Sequence, residues 1–160
     1  MIKTLDERTE AMRATLLLLA TLCGCGDDDN QAPEEAEALW KRIHAENYRA
    51  FARAPGYDQR QPTTAPHGST VDIYVNAVVQ GVLDKGQAVS AWPVGSLIVK
   101  DGFDGGGALE IVAVMDKRDD GWFWAEYDAS GEALFSGRPD TCTGCHGSGA
   151  DFVRAFGFPK

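Results

Sequence analysis

The chain has 160 residues, and 15 Lys and Arg stand against 24 Asp and Glu, a net charge of −9. That length suits one domain plus a leader. So acidic a chain is repelled by nucleic acid, which argues against any nucleic-acid role. It also has no attraction to anionic lipid, so a membrane link has to come through an attached group.

The first informative segment is Ala14 to Leu22, ATLLLLATL. It is too short to span a bilayer, and with Arg13 ahead of it the run reads as the apolar region of a signal peptide. Asp6, Glu7 and Glu10 are unusual upstream of such a region, and Met12 directly before Arg13 points to a natural start there, with Met1 the alternative. The run ends Leu22-Cys23-Gly24-Cys25, which resembles a bacterial lipoprotein signal with Leu22 three places before Cys25 and a small residue just before it. The expected lipidation site is therefore Cys25; an ordinary signal peptide cut nearby is the alternative. Either leader puts the mature protein outside the cytoplasm, and the lipid form holds it on the periplasmic side of a bacterial membrane through the anchor alone. Removing residues 1–24 takes away three basic and three acidic residues, so the charge stays at −9. We divide the chain into a signal at 1–24, a polar tether at 25–36 and one folded domain at 37–160.

Pro33 followed by Glu34 and Glu35 marks a helix start, with acids at the positive end of the dipole. Ala36, Leu39, Trp40 and Ile43, then Ala50 and Phe51, continue a helical apolar stripe that Pro55-Gly56 stops. A Pro-, Thr- and Gln-rich loop runs to Gly68. From Thr70 to Val79 the residues alternate, with Val71, Ile73 and Val75 on one face and Asp72, Tyr74 and Asn76 on the other, which predicts a strand. Further strands are expected at Leu97–Lys100, Leu109–Met115 and Trp122–Tyr127, the last two joined by a hairpin-like Asp116–Gly121 that ends in Asp-Gly. GFDGGG at Gly102–Gly107 reads as a flexible loop, too irregular for a phosphate-binding fingerprint. A turn at Asp128–Gly131 leads to a short apolar piece, Ala133–Phe135. The expected class is α+β: a mainly antiparallel sheet with an N-terminal helix, and a cysteine- and histidine-containing motif at the C-terminal end.

That motif is Cys142-Thr143-Gly144-Cys145-His146, C-x-x-C-H. Each thiol adds to one haem vinyl group, two intervening residues give the sulfurs the required spacing, and the adjacent histidine binds the iron. Gly144 and Gly147 relieve crowding where backbone nears the porphyrin. A thioredoxin-like pair would want a strand–helix context that the pattern lacks. A zinc site needs four ligands, and Cys142, Cys145 and His146 supply three at most. Export favours haem c, because this haem is attached outside the bacterial cytoplasm. The expected cofactor is one haem c with iron, bound by Cys142, Cys145 and His146, with His146 as the metal ligand.

Residues from about Leu39 to Phe158 resemble the cytochrome P-460 family, which includes the cytochromes c′-beta. The stretches that carry the resemblance are His67-Gly68 leading into VDIYVNAVV, Trp92-Pro93-Val94-Gly95-Ser96-Leu97-Ile98-Val99-Lys100, VAVMDKR from Val112, the GWFWAEY strand with Gly131 after it, and CTGCHGSGADFVRAF. C-x-x-C-H alone is not family-specific; the order of these stretches is more so. The resemblance implies a β-rich c-type cytochrome. It also implies that Lys100 stands where family members can bond a lysine to the porphyrin edge, although some members lack that bond and a strand lysine is ordinarily a solvated charge.

An iron with one protein ligand binds small molecules, whereas one with two strong ligands mainly passes electrons. Candidate sixth ligands are Met115, His67 and His44; Met115 also reads as a core residue and His44 as a surface or capping histidine. Phe103, Phe123, Trp122 and Trp124 are cap candidates that read equally as core. Hydroxylamine-oxidising family members resemble one another in a distal acid that handles protons. Glu110 and Glu126 are candidates for it here, and no secure alignment picks one. Two functions are expected: an electron-transfer or nitric oxide-binding cytochrome, and an oxidoreductase acting on hydroxylamine or nitric oxide. The implied partners are a redox protein and a small gas or nitrogen-oxide ligand, and the sequence leaves a homodimer open.

Overall fold

Three helices and seven strands make up the computed structural model, which describes residues 31–63 and 66–155. The signal segment and Cys25 lie outside the described residues. Helix α1 is Pro33–Ala45, with Pro33 in its first turn, Glu34 and Glu35 beside it and Arg42 and His44 in the last turn. Its buried stripe is Ala36, Leu39 and Ile43. The folded domain begins ahead of the boundary expected at residue 37: Ser136 O accepts Gln31 N at 3.1 Å, Ser136 Oγ accepts Ala32 N at 2.9 Å, and Ala36 is fully buried. The stripe does not run unbroken to Phe51. Asn47 takes a left-handed conformation, φ 52°, and the chain re-forms as a 3-10 turn at Tyr48–Ala50.

The strands are β1 (Ala52–Arg53), β2 (Gln61–Pro62), β3 (Thr70–Val75), β4 (Leu97–Phe103), β5 (Leu109–Arg118), β6 (Gly121–Asp128) and β7 (Ala133–Gly137). They form one antiparallel sheet in the order β1-β3-β4-β5-β6-β7, with β2 also on the outer edge of β3. The strand expected through Val79 stops at Val75, because Asn76 caps helix α2 (Ala77–Leu83). Its Oδ1 accepts the Val79 and Leu97 amides, both at 3.2 Å, and its Nδ2 donates to Gly95 O at 2.8 Å. An asparagine that satisfies orphan helix donors is a strong N-cap, and it outweighs the β-branched residues that follow. At the other end of the sheet, β4 continues through Gly102 and Phe103, so GFDGGG is strand first and turn second.

The sheet has two different faces, set by the alternation of side chains. On one face α1 and Tyr48 pack over Tyr74, Leu97, Val99, Val112, Val114, Phe123, Ala125 and Tyr127. On the other, Val71, Ile73, Val75, Ile98, Met115, Trp122 and Trp124 meet Val79, Trp92 and Val153. Helix α3, Asp140–His146, follows β7 and carries the C-x-x-C-H sequence. Its Cys142 packs against this second cluster. Among the described residues no helix is long and apolar enough to cross a membrane.

Candidate haem site

Positions 142, 145 and 146 fall at i, i+3 and i+4 of α3, so one helical face carries both thiols and the imidazole. Neither cysteine is in a disulfide; Cys142 is half-buried and Cys145 exposed. Arg154 donates to both the carbonyl oxygen and the Sγ of Cys145 at 2.9 Å. His146 Nδ1 lies 3.0 Å from Phe152 O. A carbonyl there holds the proton on Nδ1 and leaves Nε2 with its lone pair. The ring meets Trp124 edge-on, with centroids 4.6 Å apart. Burial pushes the His146 pKa down to about 4; the bond to Phe152 opposes that, while the charges of Lys100, His67 and Arg154 add to it. The imidazole is thus neutral at neutral pH, the form that binds metal.

The sheet beneath α3 supplies the remaining candidates. Ile73, Lys100, Ala113, Glu126 and Phe135 are successive cross-strand partners, so they form one row on one face. That face is the one α3 covers. Desolvation lowers the Lys100 pKa, and the carboxylate of Glu126 and the thiol of Cys145 partly offset it. His67 reaches the same place from the loop before β3, with its ring centroid 6.4 Å from that of His146. Two glycines make this approach possible. A Cβ on Gly102 would sit 2.2 Å from His67 O, and Gly68, at φ +94°, packs directly on the Phe103 backbone. His67 Nδ1 lies 2.6 Å from Glu126 Oε2, yet off hydrogen-bond alignment, so this buried nitrogen has a charged neighbour and no hydrogen bond.

The other sequence candidates separate cleanly. His44 belongs to α1, across the sheet, where its Nδ1 pairs with Trp40 O and its ring lies against Trp40. Glu110 is exposed and falls at the irregularity in the β4–β5 register, between Leu109 and Ile111. Met115 is buried in the second cluster beside Ile98 and Trp124. Trp122 and Trp124 share that cluster, Phe123 lies on the α1 face, and Phe103 sits under the Arg60 guanidinium. The sequence reading passed over Asp151, Lys117 and Arg154. The clue was present for Asp151, an acid five residues past the motif histidine, although nothing in its spacing says that it turns back onto the sheet.

These residues fit a covalent haem. Two thiols at helical spacing and an imidazole with a lone pair on Nε2 share one face, near Trp124 and the half-buried Lys100. Among the described residues no group of three or more His, Cys, Asp and Glu side chains forms a cage for a bare metal ion; a haem asks the protein for two sulfurs and as little as one nitrogen. Comparison of the chain with protein-family models, with curated proteins and with solved structures finds no match.

Proposed function

We propose that this chain is an exported c-type cytochrome, similar to the P-460 and c′-beta cytochromes, which carries one haem on Cys142 and Cys145 with His146 as iron ligand and serves in electron transfer or nitric oxide binding. The observation that carries this reading is the arrangement of the three motif residues: Cys142, Cys145 and His146 fall at i, i+3 and i+4 of α3, and the Phe152 carbonyl at His146 Nδ1 leaves the lone pair on Nε2. When bound, the haem supplies a redox-active iron open to a small ligand. The protein's part is to hold Nε2 neutral and oriented, to keep Met115 packed in the core, and to set Trp124 against the His146 ring. On this reading Cys25 carries the lipid anchor.

A second reading is favoured by the row beneath α3. Lys100 and Glu126 share a face with the motif, and His67 stands beside Glu126. A lysine whose charge is disfavoured by burial offers a neutral amine, as bonding to a porphyrin edge requires. Glu126 and His67 form a pair able to take up a proton. Both features suit oxidation of hydroxylamine or nitric oxide, with a redox protein as electron acceptor.

The test is a denaturing gel stained for haem together with a spectrum of the reduced protein. Wild type is expected to keep its haem through denaturation, and Cys142→Ser/Cys145→Ser to lose it. Haem retained on the denatured double variant would refute the attachment. A spectrum displaced from that of ordinary haem c, and restored by Lys100→Ala, would select the oxidoreductase.

A further inference from the structure

We propose that Asp151 is a positioning residue for His146, acting through the Phe152 carbonyl and held in place by Lys117. The inference rests on the haem c reading and concerns the segment behind the histidine, to which that reading assigns nothing.

After α3 the chain turns back on itself within a few residues. Gly149 N donates to His146 O at 2.9 Å, Phe152 N to Gly149 O at 3.2 Å and Val153 N to Ala150 O at 3.1 Å. A Cβ at Gly149 would lie 2.3 Å from Val153 O, so the turn closes only around glycine. Its two central residues, Asp151 at φ 46° and Phe152 at φ 66°, are both left-handed and neither is glycine. Such a pair persists only where the surroundings over-determine it. Here they do. Both Asp151 carboxylate oxygens contact Lys117 Nζ, at 3.0 and 2.8 Å, and Oδ2 also accepts the Trp92 amide at 2.7 Å. The Asp151 carbonyl accepts Trp122 Nε1 at 2.7 Å.

Lys117 and Trp122 are themselves partners across the β5–β6 ladder. The turn is therefore pinned to the sheet by two adjacent strand residues and by the loop before β4. The Lys117–Asp151 pair is largely shielded, with side chains 14% and 13% exposed, so it is more rigid than a surface ion pair. One residue beyond this clamp is Phe152, whose carbonyl takes the His146 Nδ1 proton. Apart from its own amide bond to Gly149 O, Phe152 is held loosely among the described residues: its ring is exposed and 6.4 Å from Trp124. The direction of its carbonyl follows from the left-handed conformation of Phe152 itself, φ 66°, at a residue placed by the clamped Asp151 before it. Groups behind a ligating histidine set its orientation and the electron density on its other nitrogen, and Asp151 does so at one remove.

The experiment compares wild type, Asp151→Asn, Lys117→Met, their double variant and Lys117→Arg as full chains. In the haem-loaded proteins, the iron–histidine stretching band in resonance Raman spectra should move to lower frequency in both single variants. It should move no further in the double variant, and Lys117→Arg should restore it. In full chains prepared without haem, nitrogen-15 spectra should show His146 with its proton on Nδ1 in wild type and a mixture of tautomers in Asp151→Asn. Covalent haem, read on the same gels, should be unchanged in every variant. An unshifted band together with an unchanged tautomer would overturn the proposal, as would single-variant effects that simply add. Absence of covalent haem from wild type would refute the haem reading instead, and the tautomer comparison would still decide this one.

Discussion

Asp101→Ala should destabilise the domain heavily and leave the haem site untouched. Asp101 is 1% exposed and lies on the α1 face of β4. Its Oδ1 accepts the Tyr48 hydroxyl at 2.7 Å and its Oδ2 accepts Arg49 Nε at 2.7 Å. Tyr48 is as buried as Asp101, and burial with this carboxylate bond drives its phenol pKa far above normal. Removing the carboxylate leaves a buried hydroxyl without its acceptor, which costs about 1–3 kcal/mol. Arg49 is 45% exposed and can return to water, so its share is only about 0–1 kcal/mol. The sum is about 1–4 kcal/mol, and at roughly 3–5 °C per kcal/mol for a domain of this size the Tm should fall by roughly 3–20 °C. Asp101→Asn keeps an acceptor for Tyr48 and should lose about 1 kcal/mol. Urea unfolding of both variants, each combined with Tyr48→Phe, gives the coupling energy. A loss below about 0.5 kcal/mol in Asp101→Ala, or equal losses for Ala and Asn, would show that the buried hydroxyl is not what the carboxylate serves. A changed haem spectrum would show that the two faces are not independent.

Three further outcomes follow from the same geometry. Lys100 has its pKa lowered by burial, so its protonated form is penalised in the fold at neutral pH. As pH rises from the depressed pKa towards the value near 10.5 of the unfolded chain, the unfolded state holds more protons and stability rises. Lys100→Met should therefore be more stable than the haem-free wild type at pH 7, with the gap narrowing in urea titrations run at higher pH. Because Met115 is a core residue, Met115→Leu should cost less than about 1.5 kcal/mol and leave carbon monoxide uptake by the reduced protein unchanged. A methionine–iron charge-transfer band that vanishes in the variant would make Met115 an axial ligand. Cys25→Ser should move the protein from the membrane fraction to the soluble periplasm. Retention on membranes after a salt wash would count against a lipid anchor.

Periodicity made most of the sheet legible and made its exceptions illegible. The strand ending in Val75 has the required alternation, but Asn76 breaks it through hydrogen bonds to Val79 and to the distant Leu97, and only the first of these is a local signal. Gly102 looks like loop in a run of glycines. Its reason is a neighbour from another strand's approach, the His67 carbonyl, which no side chain would admit. The motif residues were legible because their chemistry is local: helical spacing brings together two thiols and an imidazole. The residues that tune them were not. Lys117 lies 34 positions from Asp151, and the link between them exists only once β5, β6 and the last turn are folded. Between Glu110 and Glu126 the sequence offered no choice, since each begins as an acid on a strand. Register separates the two: Glu126 stands in the row with Lys100, and Glu110 does not.

The way each face treats its buried charges separates scaffold from chemistry. On the α1 face Asp72 and Asp101 are direct cross-strand neighbours, an arrangement that is destabilising for like charges unless each is neutralised. Each is: Asp72 by Arg53 and Arg60, Asp101 by Arg49 and Tyr48. Asp116, further along, is met by Arg42 and Arg118. Every one of these carboxylates has its hydrogen bonds filled by the protein, so nothing remains for a ligand to claim. The opposite face differs in kind. Among the described residues Lys100 has no ion-pair partner, and His67 Nδ1 lies against Glu126 without a hydrogen bond. Polar groups buried this way are expensive to leave unmatched. The same sheet that engages three aspartates with cations on one side leaves Lys100 without an ion-pair partner among the described residues on the other, near His67, Glu126 and the neutral His146 imidazole. That asymmetry is what a scaffold built to receive a large, partly polar group should have. It follows from strand parity, which sends Asp72 and Asp101 to one face and Lys100 and Glu126 to the other.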